Sequence, residues 1–283
     1  MVILKNTVRL LIKFFSKILY RTKIGDVFYD VLSDVYRDKT ISVNHNSCSM
    51  MFFIGKPIPA WRARTFKTKE PETLEWIETF DEHSVFWDVG ANVGIYSIYS
   101  AKLIKGLKVY CFEPSVFNLE YLATNINING LNDRVFIIAN ALSEKTEMGA
   151  MQMSNTKHGG ALCSFGTLTG HDGNQINPVF SYQTLSFSID DVVNMLHIPA
   201  PNYIKIDVDG IEYLILAGAK STLLDSRVKS ILVEVNDEFQ LQARSVSKIL
   251  KDSGFELSEK RQSEMIHSDE NLRNTYNQIW TRP

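Results

Sequence analysis

The sequence predicts an α/β chain built on a doubly wound, mostly parallel sheet, with a basic helix and an N-terminal extension ahead of it. Three observations carry that prediction. From Val85 onward, short apolar runs alternate with amphipathic stretches, the pattern of parallel strands joined by crossover helices. Two glycines, Gly90 and Gly94, stand where the first run should turn into a helix. The last two runs, Phe255–Glu259 and Tyr276–Thr281, follow each other with no helical pattern between them, which suggests an antiparallel pair at the sheet edge.

Taken in order, the first 23 residues read as a two-faced helix. Lys5, Arg9, Lys13, Lys17 and Arg21 recur every four residues, while Leu4, Val8, Leu11, Phe15 and Ile18 form an apolar stripe opposite them. Residues 25–83 are less regular: Ile41 to Ile54 is strand-like, Lys56-Pro-Ile-Pro breaks it, and Pro71 to Phe80 reads as a helix opened by a proline. The strand runs are then Val85–Val89, Lys108–Phe112, Arg134–Ala139, Tyr203–Val208 and Lys229–Val235. Helices are expected near 92–104, 115–128, 189–197, 212–224 and 242–252. Ser154 to Asn177, rich in Ser, Gly and Asn, is the one long loop.

Composition narrows the function classes. With 283 residues, 45% hydrophobic and 22% charged, the chain is ordinary globular material and excludes disordered, collagen-like and coiled-coil readings. Cys48, Cys111 and Cys163 form no CxxC pair, so neither a zinc site nor a disulfide framework is expected and a reducing compartment is the natural reading. Residues 1–25 hold six cations and no acid. The rest of the chain therefore carries 24 basic against 32 acidic side chains, a balance of −8 within a net charge of −2. An acidic body disfavours nucleic acid as a partner. No uncharged apolar run approaches the roughly 20 residues that span a bilayer. Lys13 and Lys17 also interrupt any signal-peptide core, so a cytoplasmic location is expected.

The strongest local signal is Phe86-Trp-Asp-Val-Gly-Ala-Asn-Val-Gly94. Glycines at a strand-to-helix turn let the backbone approach a ligand, and the helix N-terminus beyond offers free N–H groups. The spacing is GxxxG rather than the GxGxxG of pyrophosphate cofactors, which points to a nucleoside without a pyrophosphate. Glu113 ends the next strand 23 residues after Gly90, placed to accept hydrogen bonds from both ribose hydroxyls. At the end of the fourth strand, Asp207-Val-Asp-Gly-Ile-Glu212 crowds three carboxylates near the expected topological switch. These could act as a general base, hold a divalent metal or hydrogen-bond a sugar. The EF-hand spacing fails, so a metal is the less favoured reading and no residue is assigned to one. Alternation puts Lys205 and Asp207 on one strand face, and Asp88 on the neighbouring strand is the candidate partner for the Lys205 charge, a structural pairing rather than a catalytic one.

The ordered set Asp88-Val-Gly-Ala-Asn-Val-Gly94, Phe112-Glu-Pro114, Ala141-Leu-Ser143, Ile204-Lys-Ile-Asp-Val-Asp-Gly-Ile-Glu212 and Gly218-Ala219 resembles the FkbM family of class I methyltransferases that use S-adenosylmethionine. The resemblance covers roughly residues 84–240 and implies a Rossmann-like, seven-stranded sheet with one antiparallel edge strand. It divides the chain into a basic amphipathic helix (1–24), an N-terminal extension or subdomain (25–83) and a methyltransferase domain (84–283). It puts the methionine part of the cofactor near Asp88, Gly90, Asn92 and Gly94, the ribose on Glu113, and the adenine near Asn140 and Ala141. It implies methylation of a sugar hydroxyl in a glycan or polysaccharide precursor. Asp207 or Asp209 is then the base or orienting group, with Glu212 beside them and Glu234 lining the acceptor pocket.

Several residues have plainer readings. Ser188-Ile-Asp-Asp191 matches a capping box, and Asn125, Asn127 and Asn129 end a helix and shape a turn. The six histidines form no HxxxH pair, and only His158, beside Gly159 and Gly160, is placed to reach an acceptor. Two other functions stay open: a binding module that has lost catalysis, and a nicotinamide oxidoreductase, which the GxxxG spacing opposes. The basic helix is expected to pack on its own chain, to bind a partner, or to lie on the inner face of an anionic membrane.

Overall fold

The structure, a computed structural model, describes residues 2–268 and 272–283, with side chains from Asn6 onward. Leu4 and Lys5, which open the apolar and basic stripes, lie outside the described side chains. Helix α1 (Val2–Leu19) turns at Tyr20–Thr22 into α2 (Lys23–Arg37), which the sequence reading did not anticipate. The Thr22 hydroxyl caps α2 by accepting the Gly25 N–H at 3.0 Å. A side chain at Gly25 would collide with the Leu19 carbonyl, so glycine sets how tightly the two helices fold together. Ile24, Val27, Phe28, Val31, Leu32 and Val35 make an apolar stripe along α2 and remain exposed, as do Val8, Leu11, Phe15 and Ile18 on α1.

A hairpin follows, β1 (Thr40–His45) and β2 (Cys48–Phe53), then α3 (Pro57–Arg64), α4 (Phe66–Lys69) and α5 (Pro71–Ile77), with Pro57 and Pro71 at the starts of their helices. These elements are not a separate body. Met50, Phe52, Phe66, Leu74 and Ile77 join the same buried cluster as Ile98, Val109 and Leu122.

The alternating region is β3 (Val85–Val89), α6 (Ile95–Leu103), β4 (Lys108–Phe112), α7 (Val116–Ile128) and β5 (Val135–Ile138). After an intervening small sheet come α8 (Ile189–Asn194), β10 (Tyr203–Ile206), α9 (Glu212–Ala217), β11 (Ser230–Asn236), α10 (Gln240–Asp252), β12 (Glu256–Arg261), α11 (Glu264–His267) and β13 (Thr275–Thr281). The seven-stranded sheet runs β12–β13–β11–β10–β3–β4–β5. Strand β13 alone is antiparallel to its neighbours and stands one place in from the edge. Chain order reverses between β3 and β10, whose register sets Lys205 opposite Asp88. Phe86 and Trp87, adjacent in β3, are both fully buried on opposite faces, so helices must cover the sheet on both sides.

Two parts depart from expectation. Residues 141–187 form a second sheet in the order β6 (Ala141–Leu142), β9 (Phe180–Phe187), β7 (Glu147–Met153), β8 (Cys163–Phe165), and β8 interrupts the long loop. Asn125 and Asn129 do more than shape a turn. Asn129 bonds both the N–H and the carbonyl of Met51 at 3.0 and 2.7 Å, and Asn125 accepts the Phe53 N–H at 2.8 Å. They dock the hairpin onto α7, and Asn125 also donates to Val93 beside the glycine turn.

Candidate active site

A cleft of about 510 Å³ opens over the carboxyl ends of β3, β10 and β11, where open α/β sheets bind ligands. At one end lies the glycine turn. Gly90 has φ +84°, and a Cβ there would sit 1.9 Å from the Asp207 carbonyl oxygen, so only glycine lets β3 and β10 meet at the switch point. The Gly90 and Ala91 N–H groups both donate to Phe112, which brings the ends of β3 and β4 together. Glu113 then reaches under the turn: its carboxylate accepts the Asn92 and Ser115 N–H groups, each at 2.7 Å. Burial raises its pKa to about 7 in spite of those two bonds. Asn92 Oδ1 and Ser115 Oγ are buried beside it and have no hydrogen-bond partner among the described residues. A small adjoining cavity between Phe112, Asn140, Ala141, Leu142 and Phe165 continues the cleft as an apolar slot.

The other end is charged. Lys205, 1% exposed, donates to Asp207 at 2.6 Å. Burial alone would lift the Asp207 pKa, but Lys205, then Lys69 and more weakly Arg62, pull it down to about 2. Burial would likewise lower the Lys205 pKa, yet Asp207, Glu70 and Asp88 raise it, so both partners stay ionised. Lys69 pairs with buried Glu70 in the same way. Glu234 is different. It lines the cleft on the strand next to Asp207, its side chain makes no hydrogen bond among the described residues, and its pKa is raised well above the usual range by burial and by the charges of Asp207 and Glu70.

The family profile of the Methyltransferase FkbM domain matches residues 88–257, more than half of the chain. The chain belongs to the FkbM methyltransferase family. The hexuronic acid methyltransferase AglP of Haloferax volcanii is 24% identical over 194 residues, covering 68% of this chain and 72% of that protein. Methyltransferase FkbM from Methylobacillus flagellatus KT shares the fold, with a TM-score of 0.50 at 15% identity over 71% of this chain and 44% of that one. This chain therefore spans less than half of that protein's length.

Within this FkbM cleft the structure brings together Gly90, Asn92, Glu113, Asp207, Asp209 and Glu234, with Asn140 and Ala141 in the adjoining slot. It leaves three expected residues outside. Asp88 is buried beneath the turn and accepts the Ser97 hydroxyl. Gly94, at φ +81°, opens α6 against Leu122. Glu212 turns inward: it accepts the Val208 and Gly210 N–H groups at 3.1 Å and the Gln242 side chain, clamping the loop after β10. Its pKa is pushed up to about 7 by burial, and it touches no part of the cleft. Asp209, with φ +68°, spends one oxygen on the Leu162 and Cys163 N–H groups at 2.6 and 3.2 Å, tying down the long loop.

That loop contributes Gly160, Leu162 and Cys163 to the lining, and its histidine at the cleft is His171. His158 instead packs against Phe117 and Tyr121. Burial pushes the Cys163 thiol up to about 12, which removes it as a thiolate nucleophile. The sequence reading also missed Trp61, Arg62 and Lys69, cleft residues that lie before the family match. Among the described residues no group of three His, Cys, Asp or Glu side chains is placed to hold a metal ion.

Proposed function

We propose that this chain methylates a sugar hydroxyl oxygen, with S-adenosylmethionine as donor and Glu234 as the general base. The observation that carries the reading is the pair of unlike carboxylates at one end of the cleft: Asp207 ionised and held by Lys205, Glu234 unbonded with a raised pKa. A base must accept a proton near neutral pH, and a carboxylate held at about 2 is too weak for that. The role expected for Asp207 or Asp209 therefore moves to Glu234, and the Lys205–Asp207 pair orients the hydroxyl. A proton passes from the hydroxyl to the Glu234 carboxylate as the oxygen becomes nucleophilic.

The residues at the opposite end suit the cofactor. Unpartnered Asn92 Oδ1 and Ser115 Oγ, the second lone pairs of Glu113, and the flat apolar slot at Ala141 match ribose hydroxyls and an adenine ring. Gly90 and Asn92 would face the methionine portion, without Asp88. When bound, the cofactor supplies a methyl group on a positively charged sulfur, open to attack by an oxygen. The sugar class draws support from the hexuronic acid relative. Incubation with methyl-labelled cofactor and hexuronate-bearing glycans should place the label on a sugar oxygen. Label found only on amines or on protein would overturn the reading.

The same reading puts α1 on an anionic bilayer near a lipid-linked acceptor. In support, Arg9, Lys13 and Lys17 share one face, Val8, Leu11, Phe15 and Ile18 the opposite one, and all are exposed. Among the described residues no helix is long and apolar enough to cross a membrane. Intact protein should float with anionic vesicles at low salt while a chain starting at Gly25 stays behind. Equal flotation of the two would remove this role.

A further inference from the structure

Among the described residues, Arg62 is the arginine or lysine of the cleft that forms no ion pair. Lys69 is paired with Glu70, and Lys205 with Asp207. Arg62 has no carboxylate within ion-pair distance among the described residues, although it is only half-buried and lines the same cleft. Its one hydrogen bond runs from Nε to the Gly159 carbonyl at 2.8 Å. The loop it grips is itself fixed: Gly159 N–H donates to Asn118 at 2.9 Å, and the Gly160 carbonyl accepts from Asn92 at 2.8 Å. Gly159 has φ +71°, and an added Cβ would press on Pro59 at 3.0 Å, so the loop lies directly on α3. The guanidinium is thus anchored through Nε, while its two terminal amino groups make no hydrogen bond among the described residues. Arg62 is near enough to Asp207 to lower its pKa but forms no ion pair with it, and a planar fork of two N–H donors matches a carboxylate. Trp61, the preceding residue, is 44% exposed and lines the cleft, a flat face of the kind on which a sugar ring stacks.

We propose that Arg62 is an anion-recognition residue for the acceptor: it binds a carboxylate carried by the sugar, while Trp61 supports the ring. The proposal rests on the sugar-methylation reading and adds to it that the acceptor is acidic and is chosen by α3, a helix outside the matched family segment. The catalytic carboxylates would then be shared equipment, with substrate choice made by the N-terminal segment.

The test is calorimetric binding of a hexuronate-terminated disaccharide and of its neutral hexose counterpart to the full chain saturated with S-adenosylhomocysteine. Wild type should bind the acid at least about tenfold more tightly than the neutral sugar, as expected for a charge-assisted fork. Arg62→Gln should abolish that preference with cofactor affinity unchanged, and Arg62→Lys should restore part of it. Trp61→Ala should weaken both sugars alike. Equal binding of acid and neutral sugar by wild type, or equal loss of both in Arg62→Gln, would overturn the anion site alone. Binding of neither sugar would overturn it together with the sugar reading. Sugar binding with label found only on amines would overturn the reaction and leave Arg62's role standing.

Discussion

The Glu113 end of the cleft is shaped by backbone geometry. Glycine at position 90 lets two strands touch, and Glu113 is held by two main-chain N–H groups. The Glu234 end is shaped by side-chain charge, in the pairs Lys205–Asp207 and Lys69–Glu70, with Arg62 and Glu234 in no ion pair among the described residues. The first end is drawn from short stretches around Gly90, Glu113 and Ala141 with Phe165 beside them, the second from single residues at 62, 69, 70, 205, 207 and 234. An end that binds one unvarying ligand can be written in local turns. An end that must choose an acceptor is assembled across the fold, where one changed side chain alters the choice without disturbing the sheet.

The sharpest way to break this contrast is at the two neighbouring carboxylates. Glu234→Gln should lower kcat by about 10²–10⁴-fold, the usual worth of a general base, while cofactor affinity holds. Asp207→Asn should lower kcat less and also reduce the melting temperature, because it leaves buried Lys205 without its closest partner. Rapid-quench turnover and thermal melts on the two variants would separate them, and the reverse order would return the base to Asp207. At the other end the expected effect is smaller and of another kind. Glu113→Ala should weaken cofactor binding by about 1–3 kcal/mol, through the partners it leaves unpaired, with little change in kcat at saturation. Unchanged affinity by calorimetry would remove Glu113 from the ribose.

How much of this was legible follows the same division. The strand ends at Val89 and Phe112, the glycine turn and Glu113 can all be read locally, because each depends on alternation or on a neighbouring residue. The fourth strand stops at Ile206, two residues short of the reading, and Lys205 bonds Asp207 on its own chain segment rather than Asp88 across the sheet. Glu212 misled because its place in the first turn of α9 says nothing of whether it faces the cleft or curls back to its own loop, and the Val208 and Gly210 N–H groups take it inward. The small sheet from Ala141 to Phe187 was hidden by a Gly, Ala and Met-rich β7 with weak strand preference. Helix α2 had a readable signal in the spacing of Ile24, Val27, Phe28, Val31, Leu32 and Val35 behind the Thr22 cap. Arg62 had none, since its meaning depends on which acids fail to reach it.

The most direct test of the central claim is the rate of methyl transfer as a function of pH, at saturating cofactor and acceptor. As the proposed base, Glu234 would work as its carboxylate, and burial with like charge raises its pKa. The rate should therefore fall as pH drops through an inflection well above the ordinary carboxylate range, and the carboxylate form should carry the full rate above it. A rate that stays flat from about pH 5 to pH 9 would mean that no raised carboxylate takes the proton, and would contradict the assignment of Glu234.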